Sequence, residues 1–139
     1  MKNEKVVSEE VALNDLELFV NRFVKKPVPR EEMKDTYPDV LYAIMDGYLS
    51  FKEDGSPLLS LKNPIKNVKG EVSISEVNFR TRIKPTTLAD LAKGLNAQKE
   101  IFTLQLRMVA YIINQPVQML DNFDRYDYDV LSQVATVFT

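Results

Sequence analysis

The chain has 139 residues, the usual size of one domain, and 45% of them are hydrophobic, which is enough for a core. It contains no cysteine and no histidine, which excludes disulfides, zinc thiolates and thiolate nucleophiles, and removes the side chain best suited to proton transfer at neutral pH. The formal net charge of −2 argues against whole-molecule attraction to nucleic acid.

The chain also lacks the signals of a membrane or secreted protein. No apolar run approaches the roughly 18 to 20 residues that a membrane-spanning helix needs. The first ten residues are polar and have no apolar stretch of the kind found in signal peptides. The sequence therefore predicts a cytoplasmic protein without membrane contact.

The N-terminal part combines a helical pattern with a proline-rich segment. Ser8 is placed to cap a helix whose apolar residues recur at helical spacing from Ala12 to Phe23. Pro27-Val28-Pro29 is too stiff and too poor in hydrogen-bond donors for regular structure, and it indicates a linker. We expect residues 1–36 to be a semi-detached helical arm and residues 37–139 to form a single α+β domain.

The middle of the chain predicts a short helix and a hairpin. Pro38 suits the first turn of a helix over residues 38–46, and Gly47 suits the left-handed position just past its end. Asp54-Gly55 separates two apolar runs, which is typical of a β-hairpin, and Pro57 must then begin its strand or lie at an edge.

Residues 71–84 alternate between apolar and polar side chains with one slip near Ser75-Glu76. The slip predicts a bulge, or a turn between two short strands. Beyond it, Asn78, Arg80, Arg82 and Lys84 would share the outer face of a strand. The three cations in that row either bind a partner or protect an edge strand from aggregation.

Helical patterns follow to the end of the chain. Pro85 opens one through residue 94, with Thr87 and Asp90 approximating a capping box. Residues 98–115 are apolar nearly all round, so this helix must be covered on two sides, as the central helix or through an oligomer interface. A short helix after Pro116 and a last one over residues 125–138 complete an α+β order, with a hairpin or short antiparallel sheet before a C-terminal helical bundle.

The densest group of acids runs from Asp121 to Asp129. Carboxylates of this kind can hold calcium or magnesium, but the glycine and the glutamate of an EF-hand loop are missing. The alternative is that Asp124 or a neighbour caps the last helix, with Asp127 in its first turn. No glycine-rich phosphate loop is present, and we expect no catalytic residue, cofactor or metal.

Several short motifs occur in a recognisable order over about residues 57–139. They are Lys62-Asn63-Pro64, the Lys69-Gly70 turn, Val77-Asn78-Phe79-Arg80-Thr81-Arg82, Lys84-Pro85-Thr86 and Asp90-Leu91, then a long apolar helix, Gln115-Pro116-Val117 and Asp127-Tyr128. In order and spacing the chain resembles the tail assembly chaperone family of contractile-tailed bacteriophages and prophages.

The resemblance implies a non-enzymatic protein of the bacterial host cytoplasm that is not retained in the mature virion. Such proteins bind the tape measure protein, keep it soluble and help the tail tube protein polymerise around it, and a frameshifted longer form is often made. We expect Arg80, Arg82 and Lys84 to contact the partner, with Leu104, Met108 and Ile112 beneath them. A homo-oligomer would instead use part of the apolar helix over residues 98–115 as its interface. The alternatives are a structural tail or baseplate component, a small DNA-binding regulator, or an enzyme using carboxylates.

Overall fold

The computed structural model describes residues 7–96 and 98–139. Within them the chain forms six α-helices, one short 3-10 helix and a three-stranded antiparallel sheet of order β1-β2-β3. The elements are α1 (Glu9–Phe23), α2 (Arg30–Thr36), α3 (Pro38–Met45), β1 (Leu49–Phe51), β2 (Pro57–Lys66), β3 (Val72–Asn78), α4 (Pro85–Leu91), α5 (Ile101–Ile112), the 3-10 helix (Val117–Asn122) and α6 (Arg125–Thr136). This confirms the predicted α+β class.

The first helix begins as predicted but is not a semi-detached arm. The Ser8 hydroxyl accepts a hydrogen bond from the Val11 N–H at 3.2 Å. The apolar face of α1 is buried in the same core as α3, the sheet and α6, and the Phe19 ring lies 5.7 Å from that of Phe138. Because α3 and Phe138, both beyond residue 36, cover this face, the packing shows no boundary at residue 36.

The proline-rich segment is also fastened to α1. The Val28 N–H donates to Asn21 Oδ1 at 2.9 Å, and Arg30 donates to Asn14 Oδ1 at 2.7 Å. The short helix α2, which the sequence analysis did not predict, then buries Met33. The segment therefore acts as a tight connection between two helices that pack together.

The helix α3 and the hairpin of β1 and β2 follow the prediction. Pro38 lies in the first turn of α3, and Gly47 has a φ of 84° just beyond the end of that helix. The strands β1 and β2 pair antiparallel with Leu49 opposite Leu59, and Pro57 is the first residue of β2. Gly55 in the connecting turn has a φ of 85°, which explains the Asp-Gly signal.

The irregularity predicted near Ser75-Glu76 lies mainly on the other strand. Between the pair Ser60–Glu76 and the pair Ile65–Ile74, the chain advances five positions along β2 (60 to 65) but two along β3 (76 to 74). The extra residues thus bulge from β2, and β3 continues without a turn. Sequence alternation detects a change of face, but it does not identify the strand that carries the insertion.

The third strand ends earlier than the sequence predicted. It stops at Asn78, because the Arg80 N–H donates to the Ile112 carbonyl at 2.7 Å and the chain leaves the sheet to reach the end of α5. Arg80, Arg82 and Lys84 therefore do not form a row on one strand. The residue that precedes α4 is Lys84, and no side chain caps the start of this helix. The predicted Thr87–Asp90 capping box is therefore wrong.

No helix in the described part of the chain has both the length and the apolar character to cross a membrane. The core lies between the inner faces of α1 and α3, one face of the sheet, the C-terminal half of α5 and α6. By contrast, α4 has no buried residue and lies at the edge of the molecule against α5.

Candidate partner-binding groove between α5 and α6

The helix α5 is covered along only half of its length. Its C-terminal half is in the core, where Val109, Ala110 and Ile112 are buried. In the N-terminal half the exposed fraction is 78% for Phe102, and 37% for Leu106 one turn later. The near-continuous apolar pattern thus belongs to a helix whose C-terminal half is buried in the core and whose N-terminal half is not covered by the rest of the chain.

The uncovered residues, together with Val109 at the border of the core, form one wall of a groove of about 340 Å³ between α5 and α6. On the α5 side, Phe102, Leu106 and Val109 follow the i, i+4, i+7 spacing of one helix face. The α6 side is smoother, because small side chains follow Tyr128 there. The lining of that side is Tyr128, Ser132, Ala135, Thr136 and Thr139.

The groove has the dimensions of a site for one more helix. From Tyr128 to Thr136 the α6 wall spans eight residue-to-residue steps, which at 1.5 Å per step is about 12 Å, or roughly two turns. Small side chains on one wall let a third helix approach closely, and the Phe102 ring on the other can pack against its apolar face. This is the geometry in which an amphipathic helix docks into a hydrophobic groove.

A second depression adjoins the groove and has a different chemistry. Leu106 and Tyr128 line both, and beyond them the second depression is lined by Leu120, Asp121, Phe123, Arg125 and Asp129. Arg125 Nε lies 3.5 Å from Asp129 Oδ2, in a pair whose arginine side chain is 92% exposed. The continuous surface is therefore apolar at one end and acidic at the other.

The position of α6 is fixed by a buried carboxylate. Asp127, in the first turn of α6, is fully buried, and its two oxygens accept hydrogen bonds from the Lys62 and Asn63 N–H groups at 2.9 Å each. These are the amides of the β2 bulge, which have no partner in the sheet ladder. Burial raises the pKa of the Asp127 carboxyl, and the two backbone hydrogen bonds oppose that rise.

Asp124 completes the start of α6. Its Oδ2 accepts from the Tyr126 N–H at 3.2 Å and from Asn63 Nδ2 at 3.0 Å, so the predicted capping role is confirmed. At the other end of the acidic segment, Asp121 is exposed. Across the described residues, 7–96 and 98–139, no group of three or more carboxylates is arranged to hold a metal ion.

Tyr126, beside this cluster, buries a polar group that has no hydrogen bond within the described part of the chain. Its hydroxyl oxygen is buried without a hydrogen-bond partner among the described residues. Its ring lies 5.9 Å from that of Tyr48, and Lys62 Nζ lies 4.7 Å from its centre. Burial, with smaller contributions from nearby groups such as Asp46, raises the pKa of Tyr126 to about 12.

The structure does not bring the six residues predicted to bind a partner onto one surface. Arg80 holds the end of α5: its Nε donates to the Tyr111 carbonyl at 2.9 Å and its Nη2 to Asn114 Oδ1 at 2.6 Å. The Arg80 guanidinium also stacks 4.4 Å from the Tyr111 ring centre. Ile112 is fully buried in the core.

The remaining four predicted residues are distributed over different surroundings. Arg82 and Lys84 are exposed in the irregular segment before α4, whereas Leu104 and Met108 are half-buried on α5. Of the six, Met108 is the one that lines the groove. Phe102 and Leu106 were missed because periodicity identifies two apolar stripes on α5 without saying which one the rest of the chain covers.

Comparison of the chain with family models, with curated proteins and with solved structures finds no match.

Proposed function

We propose that the protein is a non-enzymatic tail assembly chaperone of a contractile-tailed phage or prophage. In this proposal it binds the tape measure protein in the host cytoplasm, assists assembly of the tail tube and does not remain in the virion. The resemblance over residues 57–139 supplies the identity of the partner. The observation that carries a binding function is the uncovered N-terminal half of α5, with Phe102 exposed over 78% of its surface.

An apolar groove between two helices suits this role physically. Exposed apolar surface that is contiguous and bordered by polar groups is typical of an interaction site. A tape measure protein is long and helical, so it offers repeated amphipathic segments of the kind that the groove admits. The binding would be reversible, because about two turns of α6 limit the buried area to less than a permanent interface needs.

The test is co-expression with the tape measure protein, followed by pull-down and size-exclusion chromatography. Wild-type chain should form a complex, and Phe102→Asp should abolish it because a carboxylate cannot be desolvated in the groove. Leu18→Asp is the matched control, since Leu18 is 73% exposed on α1 and away from the groove. If Phe102→Asp kept its fold and still bound the tape measure protein, the groove would not be the binding site.

Two further measurements separate the proposal from its alternatives. Mass spectrometry of purified particles should find no copy of the chain, whereas a structural tail or baseplate component would be present. Light scattering of the free chain should report the same mass for wild type and Phe102→Asp. A larger mass for wild type alone would mean that a second copy occupies the groove.

A further inference from the structure

We infer that the segment bound in the groove is an amphipathic helix with lysine or arginine side chains at one end. This inference rests on the proposed function and adds the charge and the direction of the partner. Its apolar residues lie against Phe102 and Leu106, and its basic end lies over Asp121 and Asp129. The reason is the change of chemistry along one continuous surface.

The two depressions share a boundary, which makes them one site of two parts. Leu106 on α5 and Tyr128 on α6 line both depressions. A helix laid along the groove that continues past these two residues comes directly over the acidic part. An apolar partner end there would leave carboxylates desolvated and unpaired, which is unfavourable.

The acidic part has little compensation from the chain itself. Asp121 is exposed, and Asp129 has as its ion-pair partner Arg125, whose side chain is 92% exposed. An exposed pair of this kind contributes little to stability, so a partner cation can displace it. The lining of this part contains two aspartates and one arginine, so its formal charge is −1.

The same charge pattern disfavours a second copy as the occupant. In a two-fold dimer formed through this groove, both copies contribute the same surface. The carboxylates of each copy must therefore find their partners on that same surface of the other copy. That surface contains Arg125 as its one cation within the described linings, and that cation is already beside Asp129. A distinct basic helix satisfies the carboxylates, and opposite charges also fix its direction in the groove.

Synthetic peptides test this inference without the natural partner. Two helical peptides carry the same leucines at i, i+4, i+7, and differ in having four lysines or four glutamates beyond the last leucine. Affinities are measured by fluorescence anisotropy at low and high salt. We expect the lysine peptide to bind wild-type protein about tenfold more tightly or better, and this preference to shrink at high salt.

Protein variants assign the preference to the acidic part. Asp121→Asn combined with Asp129→Asn should reduce the preference for the lysine peptide to less than about threefold, because it removes two charges and keeps the shape. Glu31→Gln combined with Glu53→Gln is the control, since both glutamates are exposed in other parts of the chain and the change again removes charge and keeps the shape; it should keep the wild-type preference.

The possible results are distinguishable. Equal binding of the two peptides, or an unchanged preference in the Asp121/Asp129 variant, would overturn the inference and leave the groove as a helix site. Failure of both peptides to bind, with Phe102→Asp also without effect on the tape measure complex, would overturn the inference and show that the groove is not the binding site. The proposed function itself would be overturned if wild-type chain formed no complex with the tape measure protein.

Discussion

Replacing Asp127 by alanine should destabilise the protein strongly, because two backbone N–H groups would lose their acceptor. A hydrogen bond to a charged group contributes about 1.5 to 3 kcal/mol, so the Lys62 and Asn63 bonds together contribute about 3 to 6 kcal/mol. Burial of the charge offsets part of this, as the raised pKa of Asp127 shows. We therefore expect a loss of about 2 to 4 kcal/mol in the free energy of unfolding.

The assay is urea denaturation at pH 7, supported by thermal melting. For 139 residues the entropy of unfolding is about 0.29 kcal/mol per degree, so the melting temperature should fall by about 7 to 14 °C. Asp127→Asn keeps one acceptor and should lose about half as much free energy. Asp121→Ala is the matched control, because this neighbouring carboxylate is exposed and its removal should change stability by less than about 0.5 kcal/mol.

Hydrogen exchange measured by NMR tests the cause directly. In the wild type the Lys62 and Asn63 amides should be protected although both residues are exposed, and Asp127→Ala should remove that protection. Fast exchange of these two amides in the wild type would refute the reasoning. So would an Asp127→Ala variant that is as stable as Asp121→Ala.

Three other changes have defined outcomes. Arg80→Ala should lower the free energy of unfolding, measured by urea titration, by about 1 to 2 kcal/mol, because the end of α5 loses two hydrogen bonds. Arg82→Ala should lower it by less than about 0.5 kcal/mol. Equal values would contradict the role of Arg80 in holding the end of α5. Wild-type stability should fall as pH rises from about 10 to 12, because the unfolded chain ionises Tyr126 first; Tyr126→Phe should reduce that fall without loss at pH 7. Arg107→Ala should speed amide exchange across α4, since Arg107 Nη1 donates to the Leu91 and Lys93 carbonyls at 2.8 and 3.0 Å; unchanged exchange would show that α4 is held otherwise.

Features that depend on neighbouring residues could be predicted from the sequence. Ser8 as a cap, Pro38 at a helix start, Gly47 at a helix end and Asp54-Gly55 in a hairpin each act within a few residues of themselves. Their preferred backbone angles are intrinsic to the residue type. The predictions for these elements are confirmed.

Features that depend on distant parts of the chain could not be predicted. Arg80 is a cation in an alternating segment, but its partners are 31 and 34 residues away at the end of α5. The amphipathic pattern of α1 shows that one face needs cover and does not show that α3 and Phe138 supply it. The groove was missed for the same reason, because periodicity defines an apolar face of α5 without locating its neighbours.

The Asp127 contact also determines when the fold can close. The Lys62 and Asn63 amides are made 65 and 64 residues before the carboxylate that accepts their hydrogen bonds. At a synthesis rate of 5 to 20 residues per second, roughly 3 to 13 s pass before Asp127 is added. During that interval the Lys62 and Asn63 amides of the nascent β2 lack the acceptor that they have in the native structure. The hydrogen bonds of the β2 bulge are therefore completed only after the first turn of α6 has been made, so this part of the sheet reaches its native state late in co-translational folding.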